Sequence, residues 1–288
     1  MDVLIQSLVQ ANFAPERISP RASMAQYTTF RVGGVADVLV NIASADEIPV
    51  ALSAAKKADV PVTIIGCGSN LLVRDGGIRG LVLRISSAMS AIRRVGDDLI
   101  AEAGAPLGAI AAFARDEGLC GMAELAGIPG TIGGGVVMNA GAYGTELAQV
   151  VSSVDCVSLH NGKPIHYSAD KLDFSYRHSA LMDANVVAAQ VTLSLKAGDP
   201  QAIRARMEEC AAMRREKQPL NYPSAGSTFK RPEGYFAAKL IDDCGLRGLT
   251  VGGATASDIL ELMRQVEQRV FEQFGVHLEP EVRILGED

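Results

Sequence analysis

The stretch that says most about this chain is Gly127-Ile-Pro-Gly-Thr-Ile-Gly-Gly-Gly-Val-Val-Met-Asn-Ala-Gly-Ala-Tyr-Gly144, which has seven glycines in eighteen residues and no charged side chain. Glycine loses more backbone entropy on folding than any other residue, so a run this dense needs a structural reason. Two interpretations are open. The glycines could let the backbone approach a large phosphate-bearing ligand and offer it N–H groups, or they could form tight turns between strands.

A second glycine cluster, Gly66-Cys-Gly-Ser-Asn-Leu-Leu-Val73, favours the ligand interpretation. It follows the apolar run Val60-Pro-Val-Thr-Ile-Ile65, which predicts a buried strand. A strand that runs into a glycine turn is where open α/β sheets bind ligands. Neither cluster is a G-x-G-x-x-G followed by a helix and a distant acid, so an ordinary nicotinamide-type Rossmann site is not predicted.

The bulk properties narrow the function classes. A chain of 288 residues allows two or three domains. The net charge is −6 without a basic block, so we expect no nucleic-acid partner. No apolar run approaches the roughly 18 residues of a membrane span, and the first residues lack a secretion signal. We therefore expect a cytoplasmic protein without a membrane partner.

The cysteines and histidines predict neither disulfides nor a metal site. None of the five cysteines forms a C-x-x-C pair, and the four histidines show no ligand spacing. Scattered thiols of this kind fit a reducing compartment. The residues concerned are Cys67, Cys120, Cys156, Cys210 and Cys244, with His160, His166, His178 and His277.

Hydrophobic periodicity and turn residues predict a mixed α and β chain. Strands at 35–41 and 60–65 flank a helix at 44–58 with Ser44 as its N-cap. They form one βαβ unit, which implies parallel pairing and a right-handed crossover. In the hairpin at 154–167, Asn161-Gly162 fits a type I′ turn. The other predicted strands lie at 80–85, 98–104, 186–195 and 278–285, and the other helices at 106–117, 200–216, 235–243 and 255–274.

Six segments in a fixed order carry a family resemblance. They are residues 28–37, 66–73, 126–144, Phe174-Ser-Tyr-Arg-His-Ser179, Ala225-Gly-Ser-Thr-Phe-Lys-Arg-Pro232 and Leu278-Glu-Pro-Glu-Val-Arg283. Together they resemble the UDP-N-acetylenolpyruvoylglucosamine reductase family, flavoenzymes that make UDP-N-acetylmuramate for bacterial peptidoglycan. The match runs from about residue 24 to residue 286, and six ordered motifs are far more specific than any one of them.

The resemblance implies the fold class and the domains. We expect a mixed α+β and α/β chain with a two-part FAD-binding region of the vanillyl-alcohol-oxidase (PCMH) type, at residues 1–85 and 86–196. A smaller α+β substrate-binding domain would follow at 197–288. The chain is similar to the shorter subclass of the family, because no long insertion follows residues 176–179.

One departure from the family pattern lies after Val251-Gly-Gly-Ala254. The family usually has a longer segment there, whereas here Ala254 runs straight into Thr255. Either the chain lacks a loop near the substrate, or a mobile loop is missing from the sequence and the numbering closes over it. The second explanation is favoured, and an intact mass set against 30.3 kDa would decide.

The resemblance places the catalytic serine at Ser227. The family's substrate is an enol ether of pyruvate, and hydride transfer to its terminal carbon leaves negative charge on the neighbouring carbon. That carbon needs one proton, which Ser227 would supply with the help of nearby cations. Spacing alone favours a different role, an ST-turn after Gly226.

Arg177 and Glu281 match the family's other two active-site positions. Arg177 would hold the carboxylate and stabilise the enolate through charge-assisted hydrogen bonds. Glu281 could donate a hydrogen bond if protonated, or it could orient Arg177 or a water. Taken without the resemblance, either residue could belong to a solvated salt bridge.

The family pattern makes Lys217 a contact for the nucleotide diphosphate, since lysine is a mobile point charge. As a helix-end lysine it could equally oppose the helix dipole. Tyr176 and Lys230 are further substrate candidates beside Arg177, Ser227 and Glu281.

The resemblance also implies the cofactors. NADPH reduces FAD and leaves, and the UDP-sugar then occupies the same space, so no Rossmann motif is needed. The backbone N–H groups of the glycine clusters would hold the FAD pyrophosphate. The FAD candidates are Arg31, Gly66, Gly68, Ser69, Asn70, Leu71, Pro129, Gly130, Thr131, Gly133, Gly134 and Asn139.

Two other functions remain open alongside this one. A small FAD oxidase or dehydrogenase on the same scaffold is the alternative enzyme, and a sugar-nucleotide-binding regulator without catalysis is the alternative from another class. The reductase interpretation makes the chain an oxidoreductase of peptidoglycan synthesis, and hence of cell-wall biogenesis, cell shape and the division cycle. We expect it to be a monomer with no metal.

Overall fold

The computed structural model describes residues 1–218 and 221–288. The chain divides into two compact units. The first unit comprises residues 1–20, 38–67 and 80–222, and the second comprises residues 21–37, 68–79 and 223–288. Each unit has its own cluster of buried apolar side chains.

Seven helices and fifteen strands occur in the described residues, together with short 3-10 turns. The helices are α1 (Asp2–Gln10), α2 (Glu47–Lys57), α3 (Leu107–Asp116), α4 (Ile132–Val137), α5 (Pro200–Lys217), α6 (Ala237–Asp243) and α7 (Ala256–Phe274). The strands are β1 (Ile18–Ser23), β2 (Val35–Ile42), β3 (Val62–Ile65), β4 (Leu71–Val73), β5 (Ile78–Ile85), β6 (Ile92–Val95), β7 (Asp98–Glu102), β8 (Leu119–Cys120), β9 (Gly141–Ala142), β10 (Thr145–Glu146), β11 (Val151–Ser158), β12 (Pro164–Ser168), β13 (Val186–Ser194), β14 (Lys196–Ala197) and β15 (Arg283–Leu285).

A four-stranded sheet has the order β1-β2-β5-β3. Strand β3 pairs in parallel with β5, with Val62 opposite Leu81. The predicted βαβ unit is therefore wrong in one respect, because β5 lies between β2 and β3. The apolar run Leu81-Val82-Leu83 in β5 is fully buried, as is typical of a strand covered on both faces.

A five-stranded antiparallel sheet of the first unit has the order β12-β11-β13-β7-β6. Its β11–β12 hairpin is the predicted one, but the type I′ turn at Asn161-Gly162 is wrong. Such a turn needs positive φ at both central residues, whereas only Gly162 has it, at 70°. Five residues separate the two strands, since β12 begins only at Pro164.

One tight turn of the first unit occurs where the sequence did not predict it. Tyr143 and Gly144 have φ of 53° and 86°, and they join β9 to β10 so that Ala142 faces Thr145. Positive φ at both positions is the pattern of a type I′ hairpin. The glycine-rich segment therefore contains a helix, α4, and a small hairpin, β9–β10.

Two glycines of α4 are required by close packing within the protein. A Cβ atom on Gly133 would stand 2.8 Å from the Cβ of Ala103, and one on Gly135 would stand 2.9 Å from Cδ1 of Leu147. Both distances are shorter than carbon atoms tolerate. Contacts with the protein, and not with a ligand, thus explain part of the glycine run.

The second unit contains α6, α7 and the parallel pair β15–β4. Helix α7 begins with the Thr255–Asp258 capping box and ends at Gly275, whose φ is 67°. Its side chains Met263, Val266 and Val270, which recur at intervals of three and four residues, are buried and lie on one face of the helix. The predicted strand 278–285 is too long, since only its last three residues are a strand; Pro280, which has no N–H donor, lies in the part that is not.

The chain is continuous from Val251 to Thr255 through two left-handed residues, Gly252 and Ala254. The N–H groups of Gly253 and Thr255 both donate to the Asp258 carboxylate at 3.0 Å. Helix α2 begins one turn later than predicted, with Asp46 in place of Ser44 at its N-cap.

Within the described residues, no helix has the length and apolar character needed to cross a membrane. The same residues contain no cluster of three histidine, cysteine or acidic side chains able to hold a metal ion.

Candidate active site

The first unit offers unengaged backbone N–H groups at the start of α4. Thr131 is the N-cap, and its Oγ1 accepts from the N–H of Gly134. The N–H groups of Ile132 and Gly133 donate to carbonyls of Ala105 and Ala103. Among the described residues, no acceptor faces the N–H groups of Gly130 and Thr131.

Gly66 lies beside this turn. A Cβ atom on Gly66 would stand 3.0 Å from Oγ1 of Thr131, closer than ordinary van der Waals contact. The residue that follows β3 and the start of α4 therefore come together in the first unit, and both belong to the segments proposed to bind FAD. Pro129 and Gly134 are exposed next to them.

Arg214 is a candidate that sequence reasoning missed. Its side chain lies over Gly127, with Cδ 3.4 Å from where a Cβ on that glycine would stand. The guanidinium is half-buried and has no ion-pair or hydrogen-bond partner in the described part of the chain. A cation left unpaired beside Gly127 is suited to an anion. The sequence signal that could have identified Arg214 is its position on α5, one helical turn before Lys217.

Tyr176 and Arg177 form the tip of a two-residue turn in the first unit. The turn is closed by hydrogen bonds from Ser175 N–H to His178 carbonyl at 3.1 Å and from His178 N–H to Ser175 carbonyl at 3.2 Å. The Arg177 guanidinium stacks 4.9 Å from the centroid of the Tyr176 ring. It also donates to the carbonyl of Gly141 at 3.4 Å.

Lys217 lies in the last turn of α5 and is exposed. Its position at a helix C-terminus is the one the dipole favours for a cation. Asn139 differs from the other expected FAD ligands, because only 1% of its surface is exposed. Its side-chain amide is engaged within the protein, as described below.

In the second unit, a loop at residues 68–70 presents three N–H groups. Among the described residues, no acceptor is present for the N–H groups of Gly68, Ser69 and Asn70. Gly68 has φ of 69°, and a Cβ there would stand 2.0 Å from the carbonyl oxygen of Tyr27. Only glycine fits this backbone. Successive free N–H groups of this kind bind anionic oxygens.

The same loop is tied to the segment that carries Glu281. Asn70 Nδ2 donates to the carbonyl of Glu281 at 3.1 Å, and Leu71 pairs with Arg283. Thr29 N–H donates to the carbonyl of Gly68 at 3.1 Å. Arg31 lies two residues after Thr29. Its φ is 57°, and its side chain is exposed.

Ser227 and Glu281 lie on neighbouring segments of the second unit. Glu281 N–H donates to the carbonyl of Thr228 at 2.8 Å, and Lys230 N–H donates to the carbonyl of Glu279 at 2.8 Å. Ser227 itself is exposed, and its hydroxyl has no partner in the described residues. The ST-turn that spacing favoured for Ser227 belongs to Ser224, whose Oγ accepts from Gly226 N–H at 3.1 Å.

Two further side chains near the candidate site residues are ionisable, one in each unit. Lys230 Nζ pairs with Glu279 Oε1 at 2.5 Å. In the first unit, burial raises the pKa of the Cys67 thiol, which follows Gly66. The thiol is therefore protonated at neutral pH and is not a nucleophile.

Two family models match the chain. The FAD binding domain matches residues 36–168. The C-terminal domain of UDP-N-acetylenolpyruvoylglucosamine reductase matches residues 218–255 and 250–285. The two matched stretches overlap at residues 250–255, where this sequence departs from the family pattern.

Curated relatives match over nearly the whole chain. The UDP-N-acetylenolpyruvoylglucosamine reductase of Clostridium novyi is 44% identical, covering 95% of this chain and 94% of the relative. That of Lactiplantibacillus plantarum is 43% identical and covers 97% of each.

Solved structures agree with these relatives. The UDP-N-acetylenolpyruvylglucosamine reductase of Thermus caldophilus superposes with a TM-score of 0.77 at 32% identity, covering 93% of this chain and 97% of that one. A 4-ethylphenol oxidase from Gulosibacter chungangensis superposes with a TM-score of 0.52 at 15% identity, covering 67% of this chain and 42% of that one. The second likeness concerns the fold alone.

The matched domain and the superposed folds define a flavoprotein with an FAD-binding domain of the vanillyl-alcohol-oxidase type. The predicted fold class and the FAD cofactor are confirmed. At 44% identity over 95% of its length, the chain belongs to the UDP-N-acetylenolpyruvoylglucosamine reductase family, as its six ordered motifs indicated.

Proposed function

We propose that this chain reduces the enolpyruvyl group of UDP-N-acetylglucosamine enolpyruvate to give UDP-N-acetylmuramate, with NADPH as the reductant. The observation that carries the proposal is the identity of 44% with a reductase of that name over 95% of the chain. The geometry of each unit supports it. In the second unit the N–H groups of residues 68–70, and in the first unit those of residues 130–131, are each suited to anionic oxygens such as those of a pyrophosphate.

FAD, when bound, would supply the redox chemistry, namely a hydride that originates from NADPH and that the terminal carbon of the olefin accepts. Ser227 then delivers a proton to the neighbouring carbon. An exposed hydroxyl without an internal partner can turn to a substrate at no cost in broken hydrogen bonds. Its weak acidity requires cations near the developing negative charge.

Arg177 holds the substrate carboxylate and stabilises the enolate. Its left-handed φ of 57° costs energy in a residue other than glycine. Such strain is stored where the surrounding structure fixes a side chain for function. Glu281 acts as a hydrogen-bond donor to the substrate or orients a neighbouring group.

Lys217 contacts the substrate diphosphate as a mobile cation, and Tyr176 and Lys230 contribute further substrate contacts. Leu71, Arg31 and Pro129 belong to the FAD-binding set together with the glycine loops. Within this proposal, residues 1–85 and 86–196 form the FAD-binding region and residues 197–288 the substrate-binding domain.

The cellular setting follows from the substrate. A nucleotide sugar and NADPH are both cytoplasmic metabolites, and all five cysteines are free thiols in the described structure. We place the chain in the cytoplasm as a monomer that serves peptidoglycan synthesis, and through it cell shape and division. A net charge of −6 argues against nucleic acid as a partner.

The experiment follows the flavin absorbance of the purified protein. NADPH should bleach it, and the enolpyruvyl sugar nucleotide should restore it without oxygen. Ser227→Ala should retain bleaching by NADPH and lose recovery, because only the proton donor is gone. Ser90→Ala, which removes an exposed hydroxyl bonded to the Ser87 carbonyl, is the control and should behave as wild type.

Two results would contradict the proposal. Recovery driven by oxygen and an alcohol, with no response to the sugar nucleotide, would instead indicate an oxidase on the same scaffold. Unchanged turnover in Ser227→Ala would remove the proton-donor assignment while leaving the substrate assignment intact.

A further inference from the structure

Asn139 is buried at the end of α4, and every hydrogen-bonding atom of its amide is used within the first unit. Nδ2 donates to Glu146 Oε2 and to the carbonyl of Ser175, both at 3.0 Å. Oδ1 accepts from the N–H of Ala148 at 3.0 Å. With 1% of its surface exposed, this side chain is buried, and both of its N–H donors are used within the protein.

The bond to Ser175 reaches the turn that carries Arg177. The carbonyl of Ser175 also accepts from His178 N–H, so it closes the turn. Ser179, fully buried, donates from Oγ to the carbonyl of Val137 at 3.0 Å. The turn is therefore attached to the glycine-rich segment on both sides of Arg177.

The β9–β10 hairpin adds a third attachment. Gly141 in β9 accepts from the Arg177 guanidinium through its carbonyl. Glu146 in β10 lies opposite Gly141 and accepts from Asn139. A Cβ atom on Gly141 would stand 2.7 Å from Cγ of Glu146, so the hairpin is closely packed at this point.

We propose that Asn139 is a positioning residue for Arg177, acting with Glu146, and that it does not bind FAD. The inference rests on the proposed function of Arg177 as the substrate-carboxylate contact. It divides the glycine-rich segment into two parts: residues 127–134 face the cofactor, and residues 139–146 support the arginine turn.

The chemistry explains why asparagine occupies this position. Its φ is 42°, a left-handed value that asparagine, aspartate and glycine tolerate best. Two donated bonds and one accepted bond require a carboxamide. Aspartate keeps the backbone and the bond from Ala148 but loses both donors, and its charge would face Glu146.

The test compares Asn139→Asp and Asn139→Gly with wild type in three measurements. Both variants should retain FAD with an unchanged dissociation constant and unchanged bleaching by NADPH. Binding of UDP-N-acetylmuramate, measured by calorimetry, should weaken about tenfold, and flavin recovery by the enolpyruvyl substrate should slow about tenfold to a hundredfold, as expected for a displaced catalytic group.

A double-mutant cycle shows whether the effect passes through Arg177. In an Arg177→Ala background, Asn139→Gly should cause almost no further loss of product binding, because the group it positions is absent. Asn161→Gly is the matched control. It removes an amide that accepts only a local bond, from Lys163 N–H in the β11–β12 loop, and should leave every measurement unchanged.

Each outcome decides the matter. Loss of FAD affinity with normal product binding would restore Asn139 to the cofactor site and overturn the inference, as would full additivity with Arg177→Ala. If the Asn139 variants do not fold, Glu146→Ala, which removes only the acceptor, is the substitute. It should retain FAD binding and weaken product binding by a smaller factor than the Asn139 variants. Unchanged product binding in Glu146→Ala would also overturn the inference. A wild-type protein that does not respond to the substrate would instead refute the proposed function.

Discussion

At the scale of single residues, glycine is required at position 68 for two reasons, a left-handed backbone and a blocked Cβ position, and experiment can separate them. Its φ of 69° disfavours any side chain, and its Cβ position is blocked by the Tyr27 carbonyl at 2.0 Å. Gly96, between β6 and β7, has nearly the same φ of 64° but nothing within 4 Å of its Cβ position. The two glycines therefore isolate steric contact from backbone strain.

Gly96→Ala should cost about 1 kcal/mol of unfolding free energy, from the left-handed backbone alone. Gly68→Ala should cost several times as much and should also weaken FAD binding, because the 68–70 loop must move to relieve the clash. Urea unfolding and a fluorescence titration with FAD measure the two effects. Equal losses in the two variants would show that the Tyr27 contact is not made.

Sequence reasoning predicted which segments carry the candidate site residues but could not find the contacts of those residues. The glycine clusters and the Ser227 segment were recognisable because their motifs are local in sequence. Arg214 and the bonds of Asn139 were not, since they join residues 87 and 36 positions apart. Periodicity carries no information about which distant carbonyl a buried amide will meet.

At the scale of elements, the start of α7 depends on a residue far away in sequence. The Asp75 carboxylate accepts from the N–H groups of Ala256 and Ser257 and from the Ser257 hydroxyl, at 2.6 to 3.0 Å. The Ser257 hydroxyl, followed by the two N–H groups, lowers the pKa of Asp75. A carboxylate at a helix N-terminus also meets the positive end of the dipole.

Asp75→Ala should cost about 1 kcal/mol at pH 7, the usual value of a lost N-cap. Because the folded pKa lies below the unfolded value, the stabilisation is complete above about pH 4 and is lost as the pH falls through the folded pKa. Urea unfolding of variant and wild type at pH 7, 5 and 3 should show a difference that shrinks only at the lowest pH.

Asp46→Ala provides the control, since Asp46 is the N-cap of α2 without a side-chain capping bond. It should change stability little at any pH. A loss in Asp46→Ala as large as that in Asp75→Ala would mean that general surface charge, and not the capping bonds, supports these helices.

The positions of helices and strands along the chain were largely predictable from the sequence, whereas the pairing of strands within the sheets was not. Helices α5 and α7 and strands β2, β3 and β13 lie within a few residues of their predicted ends, since caps and apolar spacing are local signals. The order β1-β2-β5-β3 depends on which strand is buried on both faces, a property of the assembled sheet. Helix α4 was missed because three consecutive glycines argue against a helix unless close packing requires them.

At the scale of the whole molecule, the cofactor should contribute to stability by mass action. A ligand that binds only the folded chain stabilises it by about 1.4 kcal/mol for each tenfold excess over its dissociation constant. Removing FAD should therefore lower the melting temperature, and adding it back should raise that temperature in proportion to the logarithm of its concentration.

Riboflavin separates the contribution of the phosphate-binding N–H groups from that of the ring. It carries the same isoalloxazine as FAD but no pyrophosphate, so it cannot use the free N–H groups of residues 68–70 or 130–131. Its stabilisation at equal concentration should be smaller by several kcal/mol, since hydrogen bonds to charged groups contribute about 1.5–3 kcal/mol each. Differential scanning calorimetry with each ligand measures this. Equal shifts from riboflavin and FAD would mean that these glycine loops do not hold the pyrophosphate, and the dense glycines would then serve packing alone.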